Sequence, residues 1–278
     1  MNESELTMNI YDKKNLIAWC IVPYDKLERT PAERAAMLAE LGIERMAWDW
    51  RERHLDQLDD EISELRKAGI ELSSVWFWLD NRAADELLEH HEQILGALAR
   101  ADAKTTLWVS YDNEFFTGLS QKERLRKAVK SIENILDRAR AQGLTVALYN
   151  HGDWFGEPLN QIRILQELGV GLEGSDEIGL VYNFHHGHEQ AERFPELLDE
   201  MLPYLWTVNI NGMKRGGEKI LDVGKGNLEQ DMLAALAASG FDGTIGILGH
   251  TEGEDVKVVL KRNLEGLNRW ILKKRSNI

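Results

Sequence analysis

The sequence predicts a single (β/α)8 barrel of the α/β class. Three observations predict it. Eight short, β-rich apolar runs alternate with amphipathic helical stretches along the 278 residues. No linker, low-complexity block or composition shift interrupts the series. Helical stretches end on glycines placed just before a strand, at Gly42, Gly69, Gly143, Gly169 and Gly240, where a left-handed residue closes a helix. Short connections between alternating units specify parallel strands, and eight such units close a barrel. The alternative is an open doubly wound sheet. It calls for a G-x-G-x-x-G loop after the first strand, and none is present. The barrel is assigned to residues 15–278 and an N-terminal tail to residues 1–14.

The runs, in order, are Leu16–Pro23, Ile43–Trp50, Glu71–Leu79, Thr106–Asp112, Thr145–His151, Ile178–Phe184, Leu205–Gly212 and Thr244–Gly249. The first helix follows "TPAERAAMLAELG". Thr30 stands at the N-cap, Pro31 at the first helical position and Glu33 at the third, a capping box that Gly42 closes. Strand seven shows which way its side chains point. In "TVNIN" the period of two places Val208 and Ile210 toward the helices, and Thr207, Asn209 and Asn211 toward the lumen.

Composition excludes several functions. The formal net charge is -14, which repels phosphate backbones and anionic membrane surfaces. The densest basic run is Lys273, Lys274 and Arg275. Neither nucleic acid nor a membrane is expected as a partner, and the oligomeric state is not readable. The one cysteine, Cys20, permits no intrachain disulfide and fits a reducing compartment. Residues Met1 to Asn15 carry Glu3, Glu5 and Asp12 without an apolar core, unlike a signal peptide. A cytoplasmic location is therefore expected.

Barrel enzymes carry their sites at the carboxyl ends of the strands, and these ends are rich in polar groups. Strand two runs into "AWDWRERH", with Asp49, Trp50, Arg51 and His54. Strand three supplies Trp78 and Asp80, and strand four Asp112 and Glu114. Strand five ends "LYNHGDWFGEP", with Asn150, His151, Asp153, Trp154 and Glu157. Strand six ends "VYNFHHGHEQ", with Asn183, His185, His186 and His188. Strand seven gives Asn209, Asn211 and Lys214, and strand eight His250 and Glu252. Six of the eight histidines lie in these segments; only His90 and His91 do not. Trp50, Trp78 and Trp154 suit stacking on a sugar face. His54 and His185 read as capping or packing residues, and Trp19, Trp108, Trp206 and Trp270 as packing.

The chain resembles the xylose-isomerase-like sugar isomerase/epimerase superfamily of barrels. The likeness is clearest in "YNHGDW", "VYNFHHGH", "VNINGM", the G-x-G-N-L-E segment Gly224–Glu229, and "GFDGTIGI". Members usually hold one divalent cation through a glutamate, an aspartate, a histidine and a glutamate ending strands five to eight. Carried over one at a time, these positions fall on Tyr149, Asn183, Asn209 and Leu248. A hard dication needs charged oxygen ligands, so no manganese or magnesium site is expected. The alternative is a non-standard divalent metal held by His151, His186, His188 or His250, since imidazole suits other metals.

The resemblance implies a small-molecule carbohydrate as partner and proton transfer next to a carbonyl. His151, His186 and Glu157 are the candidate catalytic residues. Asp49, Trp50, Arg51, Asn150, Trp154, Asn183, His188, Asn209, Asn211, Lys214 and His250 are the candidate substrate-binding residues. The expected activity is that of a sugar or keto-sugar isomerase or epimerase. Alternatives are a non-catalytic carbohydrate-binding barrel and a keto-glycoside lyase or hydrolase. A metal-dependent DNA-repair nuclease is disfavoured by the charge.

Overall fold

The computed structural model describes residues 9–83 and 86–276. Eight parallel strands close a barrel in sequence order. They are β1 (Leu16–Trp19), β2 (Arg45–Trp48), β3 (Glu71–Leu79), β4 (Thr106–Tyr111), β5 (Thr145–Tyr149), β6 (Ile178–Asn183), β7 (Leu205–Ile210) and β8 (Thr244–Leu248). Pairing of Leu16 with Ile245 through Trp19 with Leu248 seals β1 to β8.

A helix follows each strand: α1 (Pro31–Leu41), α2 (Leu58–Lys67), α3 (Glu89–Arg100), α4 (Gln121–Arg140), α5 (Pro158–Glu167), α6 (Phe194–Met201), α7 (Glu229–Ala238) and α8 (Val256–Arg275). The capping box at Thr30 and Glu33 forms as expected. The five helix-closing glycines all have positive φ, a conformation that costs glycine nothing. Arg34 of α1 and Glu61 of α2 form a buried bidentate pair.

Most strands begin where the apolar runs begin, but seven end earlier than expected. At the carboxyl rim the polar side chains take the backbone out of the ladder. Asn183 illustrates this: its Oδ1 accepts from the His185 N–H at 3.0 Å and starts the 3-10 turn Phe184–His186. Residues such as Asp49, His151 and His250 consequently stand on loops rather than on strands.

Of the stretch expected as a tail, residues 1–8 lie outside the described residues. The Tyr11 hydroxyl donates to the Leu233 carbonyl at 2.7 Å, and its ring meets Trp270.

The core has two layers. One lies between sheet and helices and takes Val208 and Ile210, as the strand-seven alternation requires. The other fills the lumen with Ile17, Trp19, Trp108, Tyr149, Val181 and Leu248. Trp19 meets Trp108 edge-on at 4.9 Å, and Tyr149 stacks on Trp108 at 6.0 Å. These three rings floor the carboxyl end of the barrel. Asn209 is wholly buried and lies against Gly246, where any Cβ would collide with its amide oxygen.

Candidate active site

Two joined cavities open at the carboxyl rim. A deep well of about 130 Å³ is lined by Trp19, Cys20, Tyr24, Asp49, Arg51, Trp76, Tyr149, His151, Asn183, His185, His186 and His250. A wider cleft of about 970 Å³ lies beside it. Arg51, Trp76 and His151 line both, so the two spaces share a wall.

Asp49 is the carboxyl group of the well. It is 2 % exposed. Its Oδ1 accepts from the Ile21 and Val22 N–H groups, both at 3.2 Å. These two donors point the same way because Cys20 turns the chain with φ 58°. Asp49 Oδ2 is buried without a hydrogen-bond partner among the described residues. Burial disfavours the carboxylate and pushes its pKa up to about 6, against the opposing pull of the Val22 N–H and the Arg51 charge.

Arg51 lies across the mouth. It donates to the Trp50 carbonyl at 2.7 Å and to the Tyr24 hydroxyl at 2.8 Å, leaving its other N–H groups for a ligand. The Tyr24 ring in turn lies 3.6 Å from that of His250.

The histidines form a connected arc. His151 and His186 meet edge-to-face at 4.6 Å, His186 and His185 at 4.6 Å, and His185 and His250 at 5.6 Å. Burial lowers the pKa of all four, that of His250 to about 4. They are neutral imidazoles at pH 7, each with one N–H; His151 and His185 engage the backbone carbonyls of Tyr111 and Lys219. His151 Nδ1 is buried and has no partner among the described residues.

The positions to which the resemblance assigns a dication do not fit one. The Asn183 Nδ2 donates to the Tyr149 hydroxyl at 2.6 Å, and Tyr149 is held protonated by burial, its pKa raised well above the usual phenol value. Asn209 offers a neutral amide, and Leu248 offers nothing. Of the imidazole alternative, His151, His186 and His250 line the well. His188 points its Nδ1 at the His185 carbonyl, 3.1 Å away, and stands outside the well. Among the described residues no three His, Cys, Asp or Glu side chains are grouped to hold a metal.

Of the expected site residues, Asp49, Arg51, His151, Asn183, His186 and His250 come together in the well, and Trp50 lines the cleft. Several do not join them. Glu157 accepts from Arg193 at 2.8 Å and from Gln190 at 2.9 Å and lines neither cavity, because it opens α5 and turns toward the loop after β6. Asn150 bridges β5 to β6, accepting from the Asn183 N–H at 2.7 Å. Trp154 packs on Phe116 and donates to Gln121 at 2.6 Å. Asn209 lines neither cavity, and its amide N and O are buried without a partner among the described residues. Asn211 donates to the Gly212 and Lys219 carbonyls and fastens the following loop. Lys214 is exposed on that loop.

Sequence reasoning missed Tyr24, Cys20 and Trp76, and set His185 and Trp19 aside as packing. Trp76 was available from the pattern, since "WFW" places Trp76 and Trp78 on one face of β3. Tyr24 carries no such signal, for it reaches the well from an irregular loop. His90, set apart on α3, lines the cleft. His54 caps as expected, its Nδ1 accepting from the Arg51 N–H at 2.9 Å.

No helix among the described residues is long and apolar enough to cross a membrane. The fold is similar to that of several solved structures. A 3-keto-D-glucoside 4-epimerase from E. coli superposes with TM-score 0.68 at 15% identity, covering 94% of this chain and 100% of that one. A D-psicose 3-epimerase from Clostridium cellulolyticum H10, solved with D-tagatose, gives TM-score 0.65 at 13% identity, covering 93% and 98%. A probable 3-DHS dehydratase from Bacillus anthracis gives 0.68 at 15%, covering 91% and 98%. At such identities the likeness is one of fold. No curated protein sequence matches the chain. The family described as xylose isomerase-like TIM barrel matches residues 33–269, and the chain belongs to that family.

Proposed function

We propose that the protein is an enzyme acting on a sugar or keto-sugar by proton transfer at the carbon next to a carbonyl. The observation that carries this is Asp49 Oδ2: a carboxylate oxygen buried at the well without a partner among the described residues, on a group with pKa about 6. A general base works best with its pKa near the working pH. Family membership and the sugar epimerases among the structural neighbours favour the same chemistry.

In this reading Asp49 takes the proton from the α carbon, and the electron pair moves onto the carbonyl oxygen. Arg51 and the N–H of the neutral imidazole of His186 stabilise the oxyanion, an arrangement worth most in a dry site. Asp49 returns the proton on the face from which it took it: return to the neighbouring carbon, with the proton of the α-carbon hydroxyl passing to the carbonyl oxygen, gives an isomer. An epimer requires a proton delivered to the original carbon from the opposite face by a second donor. Expulsion of a β substituent in place of reprotonation gives elimination, the lyase alternative. No step passes through a hard dication, because Tyr149, Asn183, Asn209 and Leu248 do not supply its ligands. Glu157 has no role in this scheme.

A carbohydrate-binding barrel without chemistry is favoured by one observation, the mutual bond of Tyr149 and Asn183 at positions where the resemblance places ligands. Proton NMR of a panel of keto-sugars incubated with the protein in D2O separates the two. The proposal expects loss of the signal from the proton next to the carbonyl. Saturable binding without exchange across the panel replaces the enzyme with the binding barrel.

A further inference from the structure

The two cavities differ in size, in lining and in charge. The well of about 130 Å³ falls below the ~300–1,000 Å³ usual for a ligand pocket. The cleft of about 970 Å³ reaches the top of that range. A substrate whose reacting carbon lies at Asp49 therefore fills the well and continues past Arg51, Trp76 and His151 into the cleft.

The cleft is built for a sugar face. Trp50, Trp76 and Trp78 line it in a row, with successive ring centroids 6.1 and 6.2 Å apart. Trp50 Nε1 donates to the Trp76 carbonyl at 2.8 Å and Trp76 Nε1 to the Ser110 hydroxyl at 2.7 Å. With its N–H engaged, the half-buried Trp76 offers a ligand its ring carbons, the surface on which C–H faces of a sugar stack, and Trp50, 6 % exposed, backs it.

The charge of the cleft opposes a phosphate. Glu52, Asp56, Glu89 and Asp112 stand against Arg51 and Arg82, and Arg82 is already held by Asp80 at 2.9 Å. An anionic substituent here meets a surplus of carboxylates in a protein of net charge -14.

We propose that the substrate is an uncharged glycoside of at least two rings, with the reacting ring in the well and the second ring stacked on the tryptophans of the cleft. This rests on the catalytic reading for the placement of the reacting ring. It goes beyond that reading in assigning substrate length and in excluding a phosphorylated sugar.

The test compares binding of D-fructose, of the ketodisaccharides turanose, maltulose and lactulose, and of fructose 6-phosphate, by calorimetric titration. At least one ketodisaccharide is expected to bind tenfold or more tightly than fructose, about 1.4 kcal/mol, and fructose 6-phosphate more weakly than fructose. Trp78→Ala is expected to remove the disaccharide advantage without changing fructose affinity, and Trp78→Phe to restore most of it. Equal affinities for fructose and all three disaccharides, absence of binding by all three, preference for the phosphate, or an equal loss for both sugars in Trp78→Ala overturns the proposal. Binding is read without turnover. A failed exchange test in D2O thus removes the catalytic reading and leaves this comparison standing, and the reverse also holds.

Discussion

The Asn183 side-chain amide donates to the Tyr149 hydroxyl at 2.6 Å, across the mouths of β5 and β6. Both residues occupy positions to which the family resemblance assigns carboxylate ligands. Here they satisfy each other, and the phenol below is kept neutral by burial. The protein is predicted to bind neither manganese nor magnesium tightly. Elemental analysis of the purified protein, followed by titration with Mn2+, checks this: no stoichiometric metal and no saturable one-to-one binding are expected. One metal per chain contradicts it.

Asp49 carries a stability cost that the proposed role as base explains. Its folded pKa is raised from 3.8 to about 6, so the folded state holds the proton more tightly than the unfolded chain. Its contribution is full below pH about 4 and is lost as pH rises through about 6, up to roughly 3 kcal/mol. Asp49→Asn keeps an oxygen for the Ile21 and Val22 N–H groups and removes the buried charge. It is predicted to raise the melting temperature at pH 7.5 while abolishing exchange. A lower melting temperature in the variant refutes the burial account.

The four imidazoles act in the opposite direction. Burial lowers each of their folded pKa values, so the unfolded chain takes up protons first. Stability is predicted to fall as pH drops below 6.5. Double replacement of His151 and His186 by Gln is predicted to flatten that fall, as read from urea midpoints between pH 7 and 5. An unchanged slope counts against their burial in the neutral form.

Cys20 fixes the turn that aims two N–H groups at Asp49. With φ at 58°, a β-branched side chain is strained there. Cys20→Val is predicted to cost about 1–2 kcal/mol and to slow exchange, whereas Cys20→Gly leaves the turn intact. Urea denaturation of both variants decides it.

Glu157 is held by Arg193 and Gln190. Glu157→Gln is predicted to leave the exchange rate within about twofold while costing under ~1 kcal/mol of stability, in keeping with a partly exposed ion pair. A loss of a hundredfold in rate returns it to the mechanism.

The barrel was legible because its signals are local: capped helices, glycines before strands and the two-residue alternation of β7. The site was legible in part, since strand ends point to the rim and gather Asp49, Arg51, His151, His186 and His250. The remainder turned on partners distant in sequence. Nothing near Glu157 announces Arg193, nothing near Trp154 announces Gln121, and Asn150 and Asn211 look like ligand-binding amides until the backbone groups they hold are seen. Tyr24 enters from a loop whose path only the closed fold defines.

The central claim is that Asp49 moves the proton in a site that needs no hard dication. The rate of solvent deuterium entry into a keto-sugar substrate, measured on EDTA-dialysed protein and on Asp49→Asn, tests it most directly. The account predicts that the dialysed native protein keeps its full rate and that the variant loses about 10²–10⁴-fold. A rate that vanishes on dialysis and returns with manganese, or a variant that exchanges at the native rate, contradicts it.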